Sequence, residues 1–164
     1  MRGKIETRLA ELGITLPAAT APVANYVPWT ISGRLIFISG QVGMEDGKPR
    51  WLGRLGDGLS VAEGYAAARL CGLNLLTQLK AACDGDLDRV TRVVRLGGFV
   101  NCTPDFTDQP KVVNGASDLM VEVFGNAGRH ARAAVGAPSL PLGVAVEVDG
   151  VFEIAAMESD FGLG

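Results

Sequence analysis

The sequence predicts an α+β protein, a mixed β-sheet with two long helices packed on one face and a short N-terminal helix. Three segments carry that expectation. Ser60 to Ala82 opens with a capping box, Ser60 followed three residues later by Glu63, and places Val61, Tyr65, Ala68, Gly72, Leu76 and Leu79 at helical spacing. Thr107 to Phe124 reads as a second helix that tolerates Pro110 in its first turn and stops before Gly125. The last strand alternates with period two: Val144, Val146, Val148, Phe152 and Ile154 point one way, Ala145, Glu147, Asp149, Val151 and Glu153 the other.

Taken in order, Lys4 to Gly13 sets Ile5, Leu9 and Leu12 on one side of a short helix that ends in glycine. Leu16 to Ala24 is a proline-punctuated connector. Tyr26 to Ser32 and Leu35 to Ser39 form two strands joined by a tight turn at Gly33-Arg34. From Gly43 to Leu59, glycine recurs at 43, 47, 53, 56 and 58, so this stretch is a loop with one short strand near Trp51, and the sequence does not set its path. Ala68 and Gly72 in the long helix are small enough to let it lie close on a sheet. Arg89 to Val100 has strand composition and is broken by Asn101 to Phe106, with its proline.

Length and composition narrow the functional classes. The chain has 164 residues, 48% hydrophobic and only 20% charged, so it has one substantial core and apolar surface to hide, which points to an oligomer. No apolar run reaches the length of a membrane span, and Met1 to Ala10 lacks the apolar core of a secretory signal; the expectation is a soluble, cytoplasmic protein with no membrane partner. Cys71, Cys83 and Cys102 are odd in number and set in apolar sequence, which suits buried free thiols. A net charge of -3 disfavours nucleic acid as a partner.

Few groups are left to do chemistry. With one histidine, a multi-histidine metal site within the chain is excluded, and neither a metal nor a cofactor is expected. Asp84 to Asp88 starts like a calcium loop but has Arg89 and Arg95 where glycine and glutamate belong, so it reads as a solvated helix end. Gly53 to Gly58 has its glycines in the wrong order for a dinucleotide fingerprint. His130 suits a general base, although a surface histidine is the commoner finding in such a place.

Arg132 is the informative residue. It starts a strand of small apolar residues, where a guanidinium either snorkels to the sheet edge or is held to bind an anion, because burying it unpaired is expensive. Arg132, Ala134 and Gly136 share one face, and the small neighbours leave room for a ligand. Glu147 lies on the polar face of the final strand, so Arg132 and Glu147 are both expected to point away from the helix-covered core, as a site or as a plain salt bridge.

These residues fall into a wider pattern. Tyr26 through Ser39-Gly40-Gln41, the junction Phe99 to Phe106, Val113-Asn114, and Arg132 followed by Leu140-Pro141 and Val144 to Val148 together resemble the RidA (YjgF) family of enamine/imine deaminases, also labelled endoribonuclease L-PSP. The resemblance implies a chorismate-mutase-like fold over residues 26–158, preceded by a helix and connector over 1–25 and followed by a tail over 159–164. It also implies a homotrimer with sites in the clefts between subunits. There Arg132 would grip the substrate carboxylate and Glu147 would activate water, with Tyr26, Gly40, Asn114 and Ala134 contacting substrate, the glycine through its backbone. The reaction implied is hydrolysis of short 2-aminoacrylate-type enamines, through their imines, to 2-keto acids and ammonia.

The chain departs from the family pattern in its N-terminal helix, its longer glycine-rich segment after Gly43, and Ala134 where many members carry cysteine. Two other readings compete: a non-catalytic protein that binds a small carboxylate such as a 2-keto acid in the same cleft, and a ribonuclease. The latter is disfavoured by the acidic balance, the 6% aromatic content and the single histidine.

Overall fold

The computed structural model describes residues 2–21 and 24–156; the tail expected over 159–164 lies outside the described residues. Helix α1 (Lys4–Glu11) is followed by strands β1 (Trp29–Ser32) and β2 (Leu35–Val42), then four two-residue strands, β3 (Met44–Glu45), β4 (Lys48–Pro49), β5 (Arg54–Leu55) and β6 (Gly58–Leu59). The chain continues through α2 (Val61–Ala82), β7 (Val90–Asn101), α3 (Gln109–Phe124), β8 (Ala131–Ala137) and β9 (Val146–Ile154). The main sheet has strand order β1-β2-β9-β7-β8. All its pairings are antiparallel except β7 with β8, whose parallel register requires a crossover that α3 supplies.

The two long helices cover one face, α2 over β2 and β9, α3 over β7 and β8. Ile36, Val93, Leu96, Val146, Val148 and Phe152 point into that layer and are fully or almost fully buried with Leu75, Leu76, Leu79, Leu119 and Met120. The α2 capping box forms: the Ser60 hydroxyl accepts from the Glu63 amide at 3.1 Å, and the Glu63 carboxylate accepts from the Ser60 amide. Gly72, expected to face the sheet, instead faces α3, where a Cβ would press on Leu119 and Ala116. Gly115 answers from α3, against the Tyr65 carbonyl, so the glycines set how closely the two helices approach.

The segment from 43 to 59, whose path the sequence did not set, is pinned. Trp51 accepts from the Ala145 amide, Gly53 donates to the Gly143 carbonyl, and Leu55 accepts from the Thr103 amide, all at 2.9–3.0 Å, while the Leu55 side chain enters the core. Trp51 itself, with φ 61°, lies in a bend between the two-residue strands β4 and β5, where one short strand was expected around it. Likewise Tyr26 lies in a bend ahead of β1, and β2 runs on to Val42 across a register shift between Ile38 and Gln41.

Asp84 to Asp88 does structural work of a specific kind. Asp88 accepts from the amides of Lys4 and Ile5, both at 2.8 Å, and so caps α1 from more than eighty residues away. Those two bonds hold its carboxyl below the ordinary aspartate value. All three cysteines are buried free thiols. Among the described residues no helix is long and apolar enough to cross a membrane.

Candidate functional site

Register decides which way each candidate points. Arg132 pairs with Leu96, Ala134 with Gly98 and Gly136 with Val100, and Leu96 and Val100 are core residues, so Arg132 and its small neighbours lie on the face carrying α3. Glu147 pairs with Phe99 and Val42 on the opposite, open face. The expectation that both charges point away from the helices fails for Arg132, and no Arg132–Glu147 salt bridge forms within the chain. The reason is that β8 is almost uniformly small and apolar, so alternation along it does not distinguish its faces.

Arg132 is organised by α3. Its Nη1 donates to Asn114 Oδ1 at 2.8 Å and to Ser117 Oγ at 3.1 Å, which uses both protons on that nitrogen. Nη2 makes only a long 3.4 Å contact to the Pro110 carbonyl, and among the described residues Nε makes no hydrogen bond. The guanidinium is partly exposed at the edge strand, with the Nε and Nη2 donors that form a carboxylate-gripping fork largely unspent. Since Asn114 accepts through Oδ1, its amide protons remain available at the same place.

His130 belongs to this cluster and is half-buried, not a surface residue. Its Nδ1 lies 2.6 Å from the Gly128 carbonyl and its Nε2 2.8 Å from Ser117 Oγ. Burial, aided by the Arg132 charge, lowers its pKa against the opposing bond to Gly128. Ser117 was not singled out from sequence; the available signal was its spacing of three from Asn114, which puts both on one face of α3.

Glu147 sits across the sheet from Arg132. The Glu147 carboxylate lies against Gly40, where any Cβ would collide with it, and burial, then the charge of Asp149, raises its pKa above the ordinary glutamate value. Next to it, a small cavity of about 110 Å³ is lined by Tyr26, Gly40, Gln41, Met44, Gln78 and Thr20, among others. Thr20 is held there by the Gln78 amide at 3.3 Å, and Thr77 fixes Pro17 at 2.8 Å, so the N-terminal connector forms part of the cavity wall.

Within one chain, then, Arg132 and Asn114 come together on one face of the sheet and Glu147 meets Gly40 on the other, while Gly40 also joins Tyr26 in the cavity wall. Ala134 packs on the core beside Gly98, and its strand is a sheet edge, with backbone groups open on one side. Among the described residues no cluster of three His, Cys, Asp or Glu side chains could hold a metal ion.

The family described as "YjgF/chorismate_mutase-like, putative endoribonuclease" matches residues 6–153. Protein TCP17 of Trypanosoma cruzi is 52% identical over 153 residues, spanning 93% of this chain and 95% of that protein. The crystal structure of Atu1372 from Agrobacterium tumefaciens, a protein of unknown function, is 52% identical, covers 92% of each chain and gives a TM-score of 0.86. RidA from an Antarctic Psychrobacter is 25% identical, covers 83% of this chain and 94% of its own, and gives a TM-score of 0.56. The chain belongs to the YjgF/RidA family and has its chorismate-mutase-like fold.

Proposed function

We propose that this protein is a RidA-like deaminase that hydrolyses short 2-iminoacids, formed from 2-aminoacrylate-type enamines, to 2-keto acids and ammonia in clefts between the subunits of a homotrimer. The observation that carries the reading is the Arg132 guanidinium, held at a sheet edge by neutral partners on Nη1 while Nε and, apart from one long contact to Pro110, Nη2 stay open. A guanidinium so prepared suits a planar carboxylate.

In the proposed reaction Arg132 binds the substrate carboxylate and the Asn114 amide borders it. Glu147, whose pKa is raised by burial, takes a proton from water as the water oxygen bonds to the imine carbon. As the C=N π bond opens, Glu147 passes that proton to the nitrogen; the carbinolamine then returns its hydroxyl proton to Glu147, which delivers it to the nitrogen as the C–N bond breaks, ammonia leaves and the 2-keto acid remains. The imine is already electrophilic, so positioning supplies much of the acceleration.

Assembly is part of the proposal, because the two half-sites do not meet within a chain. Phe37, Phe99 and Val135 are 43%, 37% and 47% exposed, and strand register puts all three on the open sheet face, an apolar surface suited to other copies of the chain. A native mass of one chain would remove the cleft and overturn the reading.

The direct test is a coupled dehydratase assay that generates 2-iminobutyrate or 2-iminopropionate and follows keto-acid formation. Arg132→Ala is expected to fall to the uncatalysed rate, and an unchanged rate would sink the proposal. A second reading, a carboxylate-binding protein without turnover, draws support from the anchor being complete within each chain while Glu147 lies apart from it. Thermal stabilisation by 2-oxobutyrate with no acceleration of imine hydrolysis would favour it. Against the ribonuclease reading, both ring nitrogens of the chain's one histidine, His130, are already engaged.

A further inference from the structure

We propose that Ser117 and His130 are positioning residues for the Arg132 anchor: a directed hydrogen-bond relay from the Gly128 carbonyl through His130 and Ser117 fixes the guanidinium so that its open fork faces the ligand. This rests on the reading of Arg132 as a carboxylate anchor.

The direction of each bond follows from elementary donor and acceptor chemistry. The Gly128 carbonyl only accepts, so the proton in the 2.6 Å contact is on His130 Nδ1. A neutral ring then presents a lone pair at Nε2, and the Ser117 hydroxyl, 2.8 Å away, donates to it. With its proton committed to the ring, Ser117 Oγ turns a lone pair to Arg132 Nη1 at 3.1 Å. Burial lowers the His130 pKa and so favours this neutral ring.

Gly128 serves the same relay. A Cβ there would collide with the Met120 carbonyl, so only glycine brings this backbone close enough to α3 for His130 to reach Ser117. Without the relay, Arg132 keeps Asn114 as its one short contact and can rotate about it, which spoils the orientation of a two-bond fork.

Calorimetric titration of the full-length protein with 2-oxobutyrate tests this. Ser117→Ala and His130→Ala are each expected to weaken binding roughly two- to tenfold, the net worth of about one hydrogen bond. The double variant should be no weaker than Ser117→Ala alone, because both act through one relay. Ser117→Thr, which keeps the hydroxyl, and His130→Gln, which can return an acceptor to Ser117, should restore most of the affinity. Additive losses, or wild-type affinity in Ser117→Ala while Arg132→Ala fails to bind, would overturn the relay and leave the anchor standing. Wild-type affinity in Arg132→Ala would overturn the anchor itself.

Discussion

The arginine half-site and the glutamate half-site are prepared by opposite means. On the β8–α3 side, a charge is surrounded by groups that satisfy it: Asn114, Ser117 and, more distantly, Pro110 hold Arg132, and His130 holds Ser117. On the β2–β9 side, a carboxylate is pressed against Gly40, partly desolvated and placed near Asp149, so its surroundings oppose its charge. The first arrangement fixes geometry at little electrostatic cost, which suits a binding anchor. The second raises proton affinity at a cost to stability, which suits a group that must accept a proton.

Replacing Glu147 probes that difference most strongly. Glu147→Gln is expected to lower kcat by about 10²–10⁴-fold, the usual contribution of a positioned acid or base. The same change should stabilise the fold at neutral pH. Because the folded state holds this carboxyl above its unfolded value, its contribution is fully present below the ordinary glutamate pKa and is lost as pH rises through the raised folded value. Removing the charge restores that loss, so the melting-temperature advantage of Glu147→Gln should be present at neutral pH and vanish in acid. An equal or larger advantage in acid would show that Glu147 is not strained as described.

The arginine half should respond in the reverse sense. Arg132→Lys keeps the charge but, with two of its three donors on Asn114 and Ser117, has no fork left to grip a carboxylate in two bonds, and should weaken 2-oxobutyrate binding by about 10- to 100-fold. No stabilisation at neutral pH is expected, since the guanidinium is not opposed by its neighbours. Binding retained within a factor of two would mean that the fork geometry is immaterial.

Gly40→Ala separates packing from charge within the glutamate half. Its new methyl group collides with the Glu147 carboxylate, so the carboxylate must move, at about 1–3 kcal/mol of stability. Turnover should fall by roughly tenfold through displacement of the carboxylate. Combining Gly40→Ala with Glu147→Gln should cost little further activity, because the two act on one group.

What could be read from the chain follows the same division. The α2 capping box, the glycine turn at Gly33 and the period-two pattern of β9 are local signals, and local geometry enforces them. The face on which Arg132 emerges is not local: β8 carries Ala131, Ala133, Ala134 and Val135, residues acceptable on either side, and only its parallel register with β7 decides. The Ser117–His130 contact depends on where α3 lies over β8, and the capping of α1 by Asp88 joins segments more than eighty residues apart. Neither leaves a periodic trace in sequence. Gly72 reads from sequence as a close-packing position, but its partner, α3 and not the sheet, is set by tertiary packing.

The smallest effect is expected at Tyr26. Its ring borders the cavity beside Gly40 but is 47% exposed in the single chain, so it makes an incomplete wall and touches neither charge network. Tyr26→Phe should leave 2-oxobutyrate affinity within a factor of two. Tyr26→Ala should weaken it about threefold, corresponding to loss of part of one aromatic contact, with a smaller loss for ligands whose longer side chains can fill the vacated space. A loss in Tyr26→Phe comparable to that in Arg132→Lys would place the phenol hydroxyl on the ligand and make the glutamate half, like the arginine half, a hydrogen-bonding device.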